Sequence, residues 1–296
     1  MQLPPCERIV VGSDLSKGSD AATRLAVAWA AQGSAEILIV HAAPELRAAS
    51  HPDVEHALRV QADESAASEC GIAAKIKIVD AEDVAALVSL ATSDGDWLCV
   101  GCEGGAATVL RQAGHVPSRL AASASRALLL APLGWAPPPR RRHRAPAGAG
   151  LPARRRAPTA FQRILVGLSG GSGDSSLVSA AAALAQATQG TLSFVHVIDI
   201  AGSRHEPPAA RLPRREEADA RAARERERLI DLTGDLVPLE LAARSEVQVH
   251  VIVQGPPERD LAGLARSQSI DLLLVGTGPI AARLAAFAPC AVLVLP

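Results

Sequence analysis

Short runs rich in Val, Ile and Leu alternate along the chain with Ala-rich stretches whose apolar residues recur at helical spacing. Strands buried on both faces read as near-continuous apolar runs, and their alternation with helices predicts parallel sheets covered on both sides. Five strands are predicted in the first half, near Arg8–Ser13, Glu36–His41, Lys75–Val79, Trp97–Val100 and Ala127–Leu130. Five more fall near Arg163–Leu168, Leu192–Val197, Val247–Val253, Leu272–Val275 and Ala291–Leu295. Gly33 and Gly71 stand where helices should end, and both suit the left-handed position beyond a helix.

The two sets of strands are related. Arg8-Ile9-Val10-Val11-Gly12 recurs as Arg163-Ile164-Leu165-Val166-Gly167, and His41 recurs as His196 at the same offset of 155 residues. Asp96-Trp97-Leu98-Cys99-Val100-Gly101 matches Asp271-Leu272-Leu273-Leu274-Val275-Gly276 at an offset of 175, so the second repeat gains 20 residues between its second and fourth strands. Arg119-Leu120-Ala121-Ala122 matches Arg283-Leu284-Ala285-Ala286 at an offset of 164, which places a loss of 11 residues just after Gly276. The expected fold is therefore α/β. Two tandem copies of a five-stranded parallel sheet, flanked by helices in the doubly wound, Rossmann-like manner, should occupy residues 1–134 and 161–296.

Residues 135–160, rich in Pro and Arg and without apolar periodicity, predict an extended tether. Seven arginines, Arg140–Arg142, Arg144 and Arg154–Arg156, lie there with no acid among them, which leaves 23 basic against 31 acidic residues elsewhere. The net charge of −1 thus conceals acidic domains joined by a basic linker. A solvated tether is its simplest reading, and a grip on nucleic-acid phosphates or an acidic partner the sharper one. No apolar run reaches the ~18 residues of a membrane span, and Met1–Pro5 leads into a strand pattern without the regions of a signal peptide, so a cytoplasmic protein is expected. Five cysteines at irregular spacings indicate reduced thiols. With aromatics at 2% and no Tyr, stacking platforms for single-stranded nucleic acid are not expected.

Ligands of open parallel sheets bind at the carboxyl ends of the strands, where the loops diverge at a topological switch point. Three segments of the first repeat converge there: Gly12-Ser13-Asp14, His41-Ala42-Ala43-Pro44, and Gly101-Cys102-Glu103-Gly104, followed after nine residues by Gly114-His115-Val116-Pro117-Ser118. A carboxylate at the first can accept a hydrogen bond from a ribose hydroxyl or a base amine, and backbone groups at the second can read a purine edge. Glycines at 101, 104 and 114 let backbone amides approach an anion without an intervening Cβ, and a helix starting near Pro117 turns its positive end inward. Pro117 suits a first helical turn, where its missing N–H costs nothing.

Gly-x-x-Gly, nine residues and then Gly is the spacing of the nucleotide signature of universal stress proteins. The chain resembles a tandem member of that family from Arg8 to Pro132 and from Arg163 to Pro296. The resemblance implies that the first repeat binds ATP or a related adenine nucleotide, with or without Mg²⁺, as a regulatory ligand in a stress response. Asp14 would contact the nucleoside, the Ala42 backbone the adenine, and Val100 the base pocket. Gly101, Gly104 and Gly114, with His115, Val116 and Ser118, would hold the phosphates. His115 departs from the usual Ser or Thr and Pro117 from a small hydroxyl residue. The His115 amide survives that change, its ring can donate to a phosphate, and Ser118 offers a hydroxyl. The resemblance also implies an intramolecular pseudo-dimer, with Cys290–Leu295 pairing with the matching strand of the first repeat. A homodimer and a further protein partner stay open.

In the second repeat Asp14 becomes Ser169 and the glycine loop shrinks to Gly276-Thr277-Gly278, too few amides to wrap a triphosphate. The resemblance implies a degenerate copy kept for structure. Ser169-Gly170-Gly171-Ser172-Gly173-Asp174-Ser175 is one residue longer than the Ser-Gly-Gly-x-Asp-Ser loop of ATP pyrophosphatases, and a Gly and Ser turn with Ser172 or Asp174 near a helix cap is the simpler reading. The charged run Arg224–Arg228 predicts an exposed helical face. Cys99-x-x-Cys102 would deform the loop if oxidised, yet it lacks the setting of a thioredoxin-like motif, and no second Cys or His pair follows at zinc spacing. His41 and His196 end equivalent strands, where a His most simply fixes a turn by bonding to backbone. With no nucleophile, base and acid at triad spacing, a binding module is expected. The alternatives are slow ATP hydrolysis in the first repeat, pyrophosphatase-type chemistry in the second, and a nucleotide-free scaffold.

Overall fold

The computed structural model describes residues 5–33, 35–42, 51–65, 71–80, 87–88, 90–91, 93, 95–102, 115–137, 161–199, 208–252 and 256–296. The first half runs β1 (Arg8–Gly12), α1 (Lys17–Gly33), β2 (Glu36–Ala42), α2 (His51–Glu64), β3 (Ala74–Val79), β4 (Asp96–Cys102), α3 (His115–Ser123) and β5 (Leu128–Pro132). The second runs β6 (Arg163–Leu168), α4 (Asp174–Thr188), β7 (Thr191–Asp199), α5 (Pro208–Leu236), α6 (Leu239–Ala242), β8 (Glu246–Ile252), α7 (Pro257–Ser267), β9 (Leu272–Gly276), α8 (Pro279–Phe287) and β10 (Ala291–Leu295). The added residues of the second repeat lengthen the helix after its second strand, from the 14 residues of α2 to the 29 of α5.

All ten strands join one sheet in the order β3-β2-β1-β4-β5-β10-β9-β6-β7-β8. Among the described residues pairing is parallel within each half, and one antiparallel junction sets Leu130 against Val292 and Leu128 against Val294. Outward from that junction both halves show the same strand order, as the internal repeat requires. In each half the first strand lies between the second and the fourth, so the chain leaves in one direction and returns in the other. This is the switch point at which loops part and a crevice opens.

The apolar strands supply both faces. Ile9 and Val11 point into one layer and Val10 into the other, as alternation along a strand demands. Each layer runs without interruption from the first half into the second. Trp29 of α1 packs between Trp97 of β4 and Phe161 of the second half, with ring centroids 4.9 Å from each. Across the junction α3 packs on α8, and the Gly278 N–H donates to the Ala121 carbonyl at 3.3 Å. Trp135, at the start of the expected tether, is buried, and its carbonyl accepts from Arg24 Nε at 3.2 Å.

Two repeated residues acquire a reason. Arg8 and Asp96 begin adjacent strands in register, and the Arg8 guanidinium meets the buried Asp96 carboxylate through two bonds of 2.9 and 2.6 Å. The matching Arg163 and Asp271 are 3.9 Å apart, because Asp271 Oδ2 instead accepts the backbone N–H groups of Gln162 and Arg163. One expectation fails. Gly71 takes φ +71°, but Gly33 is the last residue of α1 and does not take a positive φ. The linker arginines lie outside the described residues.

Candidate functional site

The turn from β1 into α1 is built by short side chains that bond to their own backbone. Ser13 Oγ accepts the Leu15 N–H at 3.2 Å, and Asp14 Oδ1 accepts the Ser16 N–H at 3.0 Å. Ser16 caps α1, its Oγ accepting the Ser19 N–H at 3.3 Å. Between them Leu15 is held at φ +61°, a left-handed conformation unusual for a branched side chain, and is exposed. From α2 the buried Gln61 locks the turn: it accepts the Ser13 hydroxyl at 2.7 Å and donates to Ser19 Oγ at 3.1 Å and Asp20 Oδ1 at 2.6 Å. Asp14 stays exposed at the rim. Burial would raise its pKa, but hydrogen bonds from Ser16 and Ser19 outweigh that and hold the carboxyl below its ordinary value.

The neighbouring strand end is fixed by His41, whose Nδ1–H donates to the Ser13 carbonyl at 2.7 Å. This ties β2 to the end of β1 as a backbone-bonding histidine should. Above these strands lies a cavity of about 300 Å³. Asp14, Ala42, Val100, Gly101 and Val116 line it, so five of the residues chosen from sequence converge. Its polar wall is completed by Ser13, Ser16 and Ser19, and its apolar wall by Val40 and Leu87. α3 starts at His115 and so places Pro117, another lining residue, in its first turn. Ser118 is part of α3 but does not line the cavity, because the helix turns it away. Gly104 and Gly114 lie outside the described residues, as does the His115 side chain.

Gly101 has a packing reason besides the one expected. A Cβ there would sit 2.1 Å from the Gly18 carbonyl oxygen and 2.8 Å from its Cα. Gly101 is needed because α1 begins directly against β4, which brings the amino end of that helix to the cavity. Sequence reading also passed over Gln61 of α2 and Leu87, which approach from positions remote in the chain and carry no motif.

The corresponding place in the second half holds a cavity of about 440 Å³. There the buried Asp174, first residue of α4, folds the Gly and Ser loop onto itself. Its Oδ1 accepts the Ser169 N–H at 2.9 Å and hydroxyl at 3.1 Å, and its Oδ2 accepts the Gly170 N–H at 2.9 Å. Arg228 of α5 completes the cage, 3.0 Å from Asp174 Oδ2 and 2.6 Å from Glu225 Oε1. Two of the amides that a pyrophosphate loop would offer are thus taken by the protein's own carboxylate. The charged run on α5 is exposed at Arg224, Arg226 and Glu227, but Glu225 and Arg228 turn inward. His196 differs from His41: its Nδ1 has no hydrogen-bond partner among the described residues and lies 3.7 Å from Glu225 Oε1. Burial pushes its pKa down, against the opposing pull of Glu225 and Asp174.

Cys99 and Cys102 face opposite layers of the sheet, since three residues along a strand reverse the side. Cys99 donates to the Ala22 carbonyl at 3.3 Å, and burial pushes both thiols up, Cys102 to about 12. These are packing residues in free-thiol form. No group of three His, Cys, Asp or Glu suited to a metal occurs among the described residues, and no helix among them is long and apolar enough to cross a membrane.

The model of the universal stress protein family matches residues 160–296. Through this half the chain belongs to the universal stress protein family. A universal stress protein from Archaeoglobus fulgidus DSM 4304 matches over 99% of this chain and 97% of its own, with a TM-score of 0.60 at 13% identity. A functionally unknown protein from Pseudomonas aeruginosa PAO1 matches over 98% of this chain and 92% of its own, with a TM-score of 0.53 at 14% identity. Both likenesses extend over the first half as well, and the first of them shows that the universal stress protein fold runs through it. No match is found among the curated proteins.

Proposed function

We propose that the first half binds ATP or a related adenine nucleotide as a regulatory ligand, in a universal stress protein built of domains 1–134 and 161–296 joined by a tether at 135–160. The observation that carries this reading is the cavity at the carboxyl ends of β1, β2 and β4, with an ionised carboxylate on its rim and helix α3 beginning at its edge. Its two walls suit the two ends of a nucleoside: Val40, Leu87 and Val100 for the base, Asp14 and the serines for the ribose. The His115, Val116 and Pro117 turn offers the amino end of α3 to phosphate, and Gly104 and Gly114 are assigned to the phosphates on spacing alone.

Titration calorimetry with ATP, with and without Mg²⁺, tests the reading. Asp14→Ala removes a hydrogen bond to an ionised group, about 1.5–3 kcal/mol, and should weaken ATP about 10- to 100-fold. Absence of heat at millimolar ATP, or equal affinity in the variant, counts against the site. Steady release of ADP and phosphate in the same sample would make the protein an enzyme.

A further inference from the structure

The second cavity is not a worn copy of the first. Positions related by the 155-residue offset have changed in one direction: Ser13 becomes Leu168, Asp14 becomes Ser169 and Ala42 becomes Val197. All three replacements line the larger cavity, joined there by Leu177, Leu261 and Val275. Leu168, Leu177, Leu261 and Val275 are nearly inaccessible from outside, and Ile280 stands exposed at the rim. A collapsed relic would have filled this space with the larger side chains, yet about 440 Å³ remains. The volume lies within the range of small-molecule sites.

The electrostatics favour a different ligand class from that of the first half. The Ser169 and Gly170 amides and the Arg228 guanidinium all bind Asp174, so the loop keeps these donors for its own carboxylate. A second anion would meet that carboxylate with no donor of this set to receive it. Beyond Ser169 and Asp174, which bond to each other, the polar side chains on the lining are the neutral hydroxyls of Ser176 and Thr277.

We propose that this cavity binds an uncharged, mainly apolar small molecule, held by Leu168, Leu177, Val197, Leu261 and Val275 and oriented by one or two hydrogen bonds to Ser176 or Thr277. The site is separate from the one in the first half and stands whatever binds there.

The neutral fluorophore N-phenyl-1-naphthylamine is the probe. Titrated into the full chain, it should show a saturable rise in emission at one molecule per chain with micromolar affinity. Ser176→Trp places an indole in the cavity from a half-exposed helix position and should weaken the probe at least tenfold, whereas Ser175→Trp, on the exposed side of α4, should leave it unchanged. Ile280→Glu, at the exposed rim, gives a second weakening that does not depend on the helix tolerating an indole. Millimolar pyrophosphate should not displace the probe. The proposal is overturned by a wild type that shows no saturable emission, by Ser176→Trp and Ile280→Glu proteins that both bind as the wild type does, or by displacement with pyrophosphate.

Discussion

At the scale of single residues, the contact between Gly101 and Gly18 governs how closely α1 approaches β4. The opposing atoms are backbone, so no rotamer change can relieve a side chain introduced there. Gly101→Ala should therefore cost about 1–3 kcal/mol, as overpacking of a tight core does. It should also lower ATP affinity, since the displaced helix carries Ser16, Gly18 and Ser19 of the cavity wall. Denaturant melts and ATP titration of one preparation check both effects, and an unchanged midpoint would remove the packing argument. The lining residues legible in the sequence were Asp14, Ala42 and Val100, which lie at or beside strand ends, and Val116, which the glycine spacing places at the start of a helix. Gln61 and Arg228 were not legible, because each reaches its turn from a helix tens of residues away and an isolated polar residue on a helix reads as solvent-facing. Gly101 does line the cavity, and its packing against Gly18 became visible only once α1 was docked.

At the scale of elements, the repeat is legible because apolar runs mark strands wherever they are buried on both faces. What the offsets could not convey is how α2 and α5 treat the loops they cover. Gln61 of α2 offers a neutral amide to Ser13 and Ser19, while α5 brings Glu225 and Arg228 against Asp174 and His196. The consequence is a pH dependence confined to the β7–α5 contact. Burial keeps the folded pKa of His196 below its unfolded value near 6.5, so folding favours the neutral ring. Its contribution is complete above the unfolded pKa and is lost as pH falls through that value towards the folded one. The melting temperature should thus fall between pH 7 and pH 5 less steeply in His196→Gln than in the wild type, and parallel profiles would dismiss the histidine as the source.

At the scale of the whole molecule, both apolar layers pass through the β5–β10 junction, and Phe161 from the second half packs on Trp29 of the first. The halves should unfold together. Calorimetry is expected to show one transition, and Trp29→Ala should shift all of it, at a cost of about 3–5 kcal/mol for an aromatic deleted from a core. Two resolved transitions, only one of them moved by the substitution, would show that the layers are separable.

The junction has one more effect. When two identical chains meet across such a seam, every substitution is copied to both sides and the two pockets stay twins. Here a peptide chain carries both sides, so each mutation lands once, and the pockets are free to acquire different tastes: a carboxylate and serines on the left, leucines and valines on the right.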